Sequence, residues 1–121
     1  MIALMVALGA AVGAPARYLT DRAVQSGHDT LFPWGTLTVN VVASLLLGGL
    51  VGAGAQVSPT TMALVGTGFC GALSTFSTFG YETLRLAQER ARFYAVANVA
   101  ISLVAGLGAA ALGWSVGAAL V

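Results

Sequence analysis

Charge in this chain is confined to two short clusters, and the long stretches between them carry none. The first cluster holds Arg17, Asp21, Arg22 and Asp29. The second holds Glu82, Arg85, Glu89, Arg90 and Arg92, and there is no Lys. A soluble domain carries roughly 25% charged residues, whereas this chain has 7%, with 58% hydrophobic residues. A helix needs about 20 mostly apolar residues to cross the hydrocarbon, so four crossings use about 80 residues and leave only short loops. The pattern reads as an all-α membrane protein with four transmembrane helices in one domain over residues 1–121. The helices are expected at about 2–23, 34–54, 59–86 and 93–119.

The same sparseness excludes several functions. A formal net charge of +1 offers no basic surface for nucleic acid. Cys70 is the only cysteine, which rules out an internal disulfide and a cysteine metal cage. His28 is the only histidine and falls in the polar segment between helices 1 and 2, so no Ser-His-acid or Cys-His set can form. The chain reads as a non-enzyme. No basic n-region precedes the first apolar run, and Ala14-Pro15-Ala16 only loosely resembles a cleavage site, so residues 1–20 are expected to remain as helix 1.

Local signals place the helices. Gly9 and Gly13 in helix 1, and Gly48 and Gly52 in helix 2, have the small-xxx-small spacing that lets backbones approach closely. Pro33-Trp34-Gly35 opens helix 2, with Trp34 as an interfacial anchor. Ser58-Pro59 reads as an N-cap followed by Pro at the first helical position. Helix 3 is unusual in its middle, where Gly66, Gly68 and Gly71 precede Ser74, Thr75, Phe76, Ser77, Thr78 and Phe79. Glycines and hydroxyls at this density predict a break, which is tolerated at membrane depth only where protein, water or an ion satisfies the backbone.

Several residues carry two readings. Phe76 and Phe79 share a helical face. They are either core packing or ring edges whose partial positive charge faces an anion. The hydroxyls of Ser74, Thr75, Ser77 and Thr78 either bond back to the preceding turn or donate to a ligand. Asn40, set among valines in helix 2, is either a buried amide that glues helices together or a donor to a passing anion, and Asn98 and Ser102, one turn apart in helix 4, allow the same two readings. Glu82 stands to pair with Arg85 or Arg17, or to line a polar mouth.

Three motifs in order resemble the CrcB/Fluc fluoride channel family: Gly13-Ala14-Pro15-Ala16-Arg17-Tyr18, then Phe32-Pro33-Trp34-Gly35-Thr36-Leu37-Thr38-Val39-Asn40, then Gly68-Phe69-Cys70-Gly71-Ala72-Leu73-Ser74-Thr75-Phe76-Ser77-Thr78-Phe79 with Glu82 beyond it. Ser74 stands where many members have Thr, Ala43 where Gly is frequent, and Asn98 where some members have an aromatic hydroxyl. The resemblance implies passive fluoride export that protects the cell from fluoride toxicity, through an antiparallel, dual-topology dimer in the bacterial plasma membrane. Such a dimer would have two fluoride pathways and a structural, untransported sodium ion (Na+). It implies that Asn40, Phe76, Phe79 and Ser102 line the pore, that Thr36, Thr78 and Glu82 join a polar track, and that Arg17 faces a water-filled vestibule. The main-chain carbonyls of Gly71 and Ser74 would hold the sodium.

The principal rival is a small proton-coupled multidrug exporter, also a four-helix antiparallel dimer. Such a machine needs a carboxylate deep in helix 1 as a proton relay, and helix 1 has none before Asp21. A structural subunit without transport activity is the second rival. The arginines bear on orientation. Arg17, Arg22, Arg85, Arg90 and Arg92 all lie in or beside the loops joining helices 1–2 and 3–4, which face one side. Positive residues near helix ends favour the cytoplasm, which predicts both termini outside. An antiparallel partner is then either an oppositely inserted copy of this chain or an oppositely oriented paralogue.

Overall fold

The computed structural model describes residues 2–26, 32–74, 77–89 and 91–121, without the side chain of Ser77. His28, Thr75, Phe76 and Arg90 therefore lie outside the described residues. Four stretches are long and apolar enough to cross a membrane: Ile2–Ser26, Trp34–Gln56, Pro59–Gln88 and Arg92–Ala119. The apolar window of the third is 33% buried, against 11% for each of the others. The third span is thus the centre of the subunit, and the other three turn most of their apolar side chains outward, as a lipid-facing helix does.

The first span is helix α1 (Ile2–Ser26), the second α2 (Trp34–Ala53). Helix α1 runs a turn past its expected end near residue 23, into the polar sequence that follows. Gln25 accounts for this extension. Its side chain accepts from Gly35 N–H at 3.2 Å and donates to the Phe32 carbonyl at 3.3 Å. One amide thus caps an orphan donor at the start of α2 and ties both ends of the polar link together. Pro33 precedes α2 as its N-cap, and the first helical residue is Trp34. At the other end Gly54, at φ 60°, closes the helix in a conformation that glycine adopts without penalty.

The third span is built in pieces. Helix α3 (Pro59–Thr61) is capped by Ser58, whose Oγ accepts Thr61 N–H at 3.1 Å. Met62–Cys70 follows as nine residues of wide π-helix, and α4 (Gly71–Leu73) ends at the break. Ser74 there is extended, at φ −77° and ψ 159°. Helix α5 (Ser77–Gln88) resumes the span, and α6 (Arg92–Ala119) forms the fourth crossing. The break comes where the hydroxyl run begins. The π segment holds Gly66 and Gly68, and glycines of this kind signal close packing rather than a widened helix.

Backbone-to-backbone packing fixes the arrangement. Helix α2 packs chiefly on α6, and α1 on the π segment. A Cβ on Gly48 or Gly52 would strike the carbonyl of Ala110 or Trp114, and one on Gly113 or Gly117 that of Leu45 or Gly49. Each helix therefore offers a glycine pair, four residues apart on one face, to the carbonyls of the other. Gly9 and Gly13 seat α1 on Leu64 and Phe69 in the same way. Val39, Ala43, Cys70 and Leu73 form the buried cluster behind the break, with Cys70 as a small packing residue.

Candidate ion pathway

One side-chain hydrogen bond, from Thr36 to Glu82, joins α2 to α5, and a cavity opens on each side of this seam. Residues adjacent in sequence are about 100° apart around a helix, so Val39 and Asn40 of α2, and Thr78 and Phe79 of α5, divide between the two sides. The seam itself is pinned by Thr36, 2% exposed, whose Oγ1 donates to Glu82 Oε1 at 2.6 Å. That length is characteristic of a hydroxyl bonded to a carboxylate. Glu82 thus takes Thr36 as its hydrogen-bond partner. Arg85 pairs with Glu89 at 3.8 Å on the exposed face, where such a pair contributes little.

The first cavity, about 150 Å³, lies between α1 and the seam, lined by Arg17, Tyr18, Asp21, Thr36, Val39 and Thr78. Arg17 Nε is buried, and among the described residues no acceptor reaches it. A guanidinium with a donor that the protein does not take up raises the local potential for an anion. Asp21 lies one turn along α1, where a side chain on Gly35 would overlap its carboxylate. It tempers this field, and only its place one turn beyond Arg17 could have marked it in the sequence.

The second cavity is a groove of about 280 Å³. Asn40 and Ser44 of α2, Ser74 at the break, Phe79 of α5 and Ser102 of α6 all face it. Polar donors from separate elements converge there with an aromatic ring, and among the described residues the lining holds no formally charged side chain. The Ser74 hydroxyl donates to the Cys70 carbonyl at 2.9 Å, so this hydroxyl follows the back-bonding reading. Of the residues expected along a pathway, the groove gathers Asn40, Phe79 and Ser102, and the first cavity gathers Arg17, Thr36 and Thr78 with Glu82 at its edge. Ser44 and Thr83 were not singled out from the sequence. Thr83 Oγ1 accepts from Asn98 Nδ2 at 2.8 Å, and its significance rests on a contact between α5 and α6 that spacing alone does not reveal.

Among the described residues no group of three His, Cys, Asp or Glu side chains is placed to hold a metal ion. Gly71 is exposed, a Cβ on it would meet nothing within 4 Å, and Ser74 is extended. The helix is thus interrupted just after an exposed glycine.

Comparison with known proteins agrees with this architecture. The model of the family described as "CrcB-like protein, Camphor Resistance (CrcB)" matches residues 4–114. The chain is 66% identical over 117 residues to Fluoride-specific ion channel FluC 1 of Frankia casuarinae, covering 91% of each chain. It is 57% identical to FluC 1 of Streptomyces avermitilis, over 91% of this chain and 90% of that one. It is 48% identical to FluC of Thermococcus kodakarensis, over 85% of each. With four spans and relatives of this kind, it is a multi-pass protein of the cell membrane. A family match across nearly the whole length, on a subunit built around a broken third span, makes this chain a member of the CrcB family.

Proposed function

We propose that this protein is a fluoride-selective channel that lets fluoride leave the cell down its gradient. The observation that carries this reading is the groove in which Asn40, Ser102 and the Phe79 ring converge. Fluoride is small and strongly hydrated, so a pathway must replace its water with good donors. An amide, a hydroxyl and ring edges do this without a fixed cation to trap the ion, and conduction needs binding strong enough for entry and weak enough for exit. Arg17 at the neighbouring cavity supports a vestibule that gathers anions. Phe76 is proposed as a second ring of the pathway, and Thr36, Thr78 and Glu82 as its polar track. Relatives named as fluoride-specific channels support the same ion. The exporter reading is not favoured, because the carboxylate of α1, Asp21, sits in its terminal polar turns.

The working unit is proposed to be an antiparallel dimer. Gly71 and Thr67 are exposed on the third span, which is otherwise the most buried. A two-fold partner there would bring Gly71 and Ser74 carbonyls from both subunits around one ion, and sodium is the cation the family resemblance implies. When bound, it would neutralise carbonyl oxygens at the break and hold the subunits together. The arginine bias supports both termini outside, and the partner as a reversed copy or a reversed paralogue.

Purified protein in liposomes tests the function. Passive fluoride efflux supports the channel, proton-driven cation export supports the rival, and neither supports a structural subunit.

A further inference from the structure

A chain of side-chain hydrogen bonds runs from α5 to α6 beside the groove. Thr83 lies one turn beyond Phe79, and its Oγ1 donates to the Phe79 carbonyl at 2.8 Å. The same oxygen accepts from Asn98 Nδ2 at 2.8 Å. Asn98 is 1% exposed, and at its other end Ser102 Oγ lies 3.3 Å from Asn98 Oδ1. One set of directions satisfies every link in this chain. The Phe79 carbonyl only accepts, and it takes the single hydroxyl proton of Thr83. Thr83 can then only accept from Asn98, which turns the amide nitrogen toward α5 and the amide oxygen toward α6. That oxygen also only accepts, so the Ser102 proton points at Asn98, and Ser102 presents a lone pair to the groove it lines.

The links differ in strength. The two bonds at 2.8 Å are well formed, and the Ser102 link at 3.3 Å exceeds the usual range for a hydroxyl donor. The weak link is the one beside the groove. On the reading of the groove as a fluoride pathway, we propose that Thr83 and Asn98 are positioning residues that hold the Ser102 proton in reserve. Ser102 swings this proton from Asn98 Oδ1 onto fluoride as the ion arrives and returns it as the ion leaves. Thr83 keeps the amide oriented to take it back.

The inference makes an unusual forecast for Thr83→Val, which keeps the shape and removes the hydroxyl. Asn98 loses its acceptor and flips its amide, so that nitrogen now donates to Ser102. The Ser102 proton then faces the groove permanently. Fluoride should bind more tightly and leave more slowly. The half-saturating fluoride concentration falls roughly fivefold to tenfold, the scale of one hydrogen bond, and maximal efflux falls with it. Thr83→Ser should restore both values, because it restores the acceptor. In a Ser102→Ala background Thr83→Val should change nothing further. Should Thr83→Val fail to assemble, Thr83→Cys, a poor acceptor of similar size, should move both values in the same direction. Weaker half-saturation in Thr83→Val, or effects of Thr83→Val and Ser102→Ala that simply multiply, would overturn the proposal. The parallel measurement on the unaltered protein separates the two levels. If it passes no fluoride, the channel reading itself fails. If it conducts while Thr83 and Ser102 act independently, only this inference fails.

Discussion

Replacing Asn40 by Asp changes one atom's identity at the wall of the groove and turns a donor into a fixed negative charge. Among the described residues the groove is lined by uncharged side chains, so none of these neutralises that charge. At a separation of about 4 Å and an effective dielectric near 20, the repulsion between a carboxylate and a fluoride ion is about 4 kcal/mol. Each 1.36 kcal/mol is a factor of ten, so fluoride occupancy beside the introduced carboxylate drops by about three orders of magnitude. Passive efflux from liposomes should fall to the level of empty vesicles, while the protein elutes at the same volume as the parent. Unaltered flux in Asn40→Asp at neutral pH would remove Asn40 from the pathway.

Other parts of the molecule give sharp expectations of their own. Phe79→Ala or Phe76→Ala should abolish or strongly reduce efflux with the assembly state of the parent largely intact, and normal flux in both would return these rings to packing. Gly113→Val should lower the stability of the detergent-solubilised protein by about 3 kcal/mol, since its Cβ strikes the Leu45 carbonyl; a thermal melt unchanged from the parent would show that α2 and α6 do not meet there. A topology reporter on either terminus should light up from outside the cell in most copies. Equal signal from both sides would defeat the arginine argument and support simple dual-topology homodimers.

Much of this architecture is legible because a membrane admits few solutions. Charges confined to two clusters leave only four crossings, and a run of glycines and hydroxyls such as the one ending at Phe79 cannot continue as an ordinary lipid-facing helix. The break at Ser74 follows from that density. The π segment at Met62–Cys70 does not, because its hydrogen bonding answers to how α1 seats on Gly68 and Phe69, which is tertiary. The extra turn of α1 depends on Gln25 finding Phe32 and Gly35 across the link. Gly113 and Gly117 repeat a spacing already recognised at Gly48 and Gly52, and their role was open to the same reasoning. Thr83 is the harder case. A threonine near the polar end of a helix reads as one more back-bonding hydroxyl, which it also is. What distinguishes it is the amide of Asn98, brought to it only by the crossing of α5 and α6.

The interlocked glycines of α2 and α6 also bear on speed. Carbonyls of one helix lie in the hollows of the other, so the pair cannot slide or rock without backbone collision. Together they form a rigid plate, and the plate carries Asn40, Ser44 and Ser102. Carriers work by moving such plates against each other, on microsecond to millisecond timescales. Here the groove is walled by single side chains, and side-chain rotations are far faster than the motions of whole helices. An ion passing this plate waits on side chains rather than on helices, so the turnover ceiling is that of a pore.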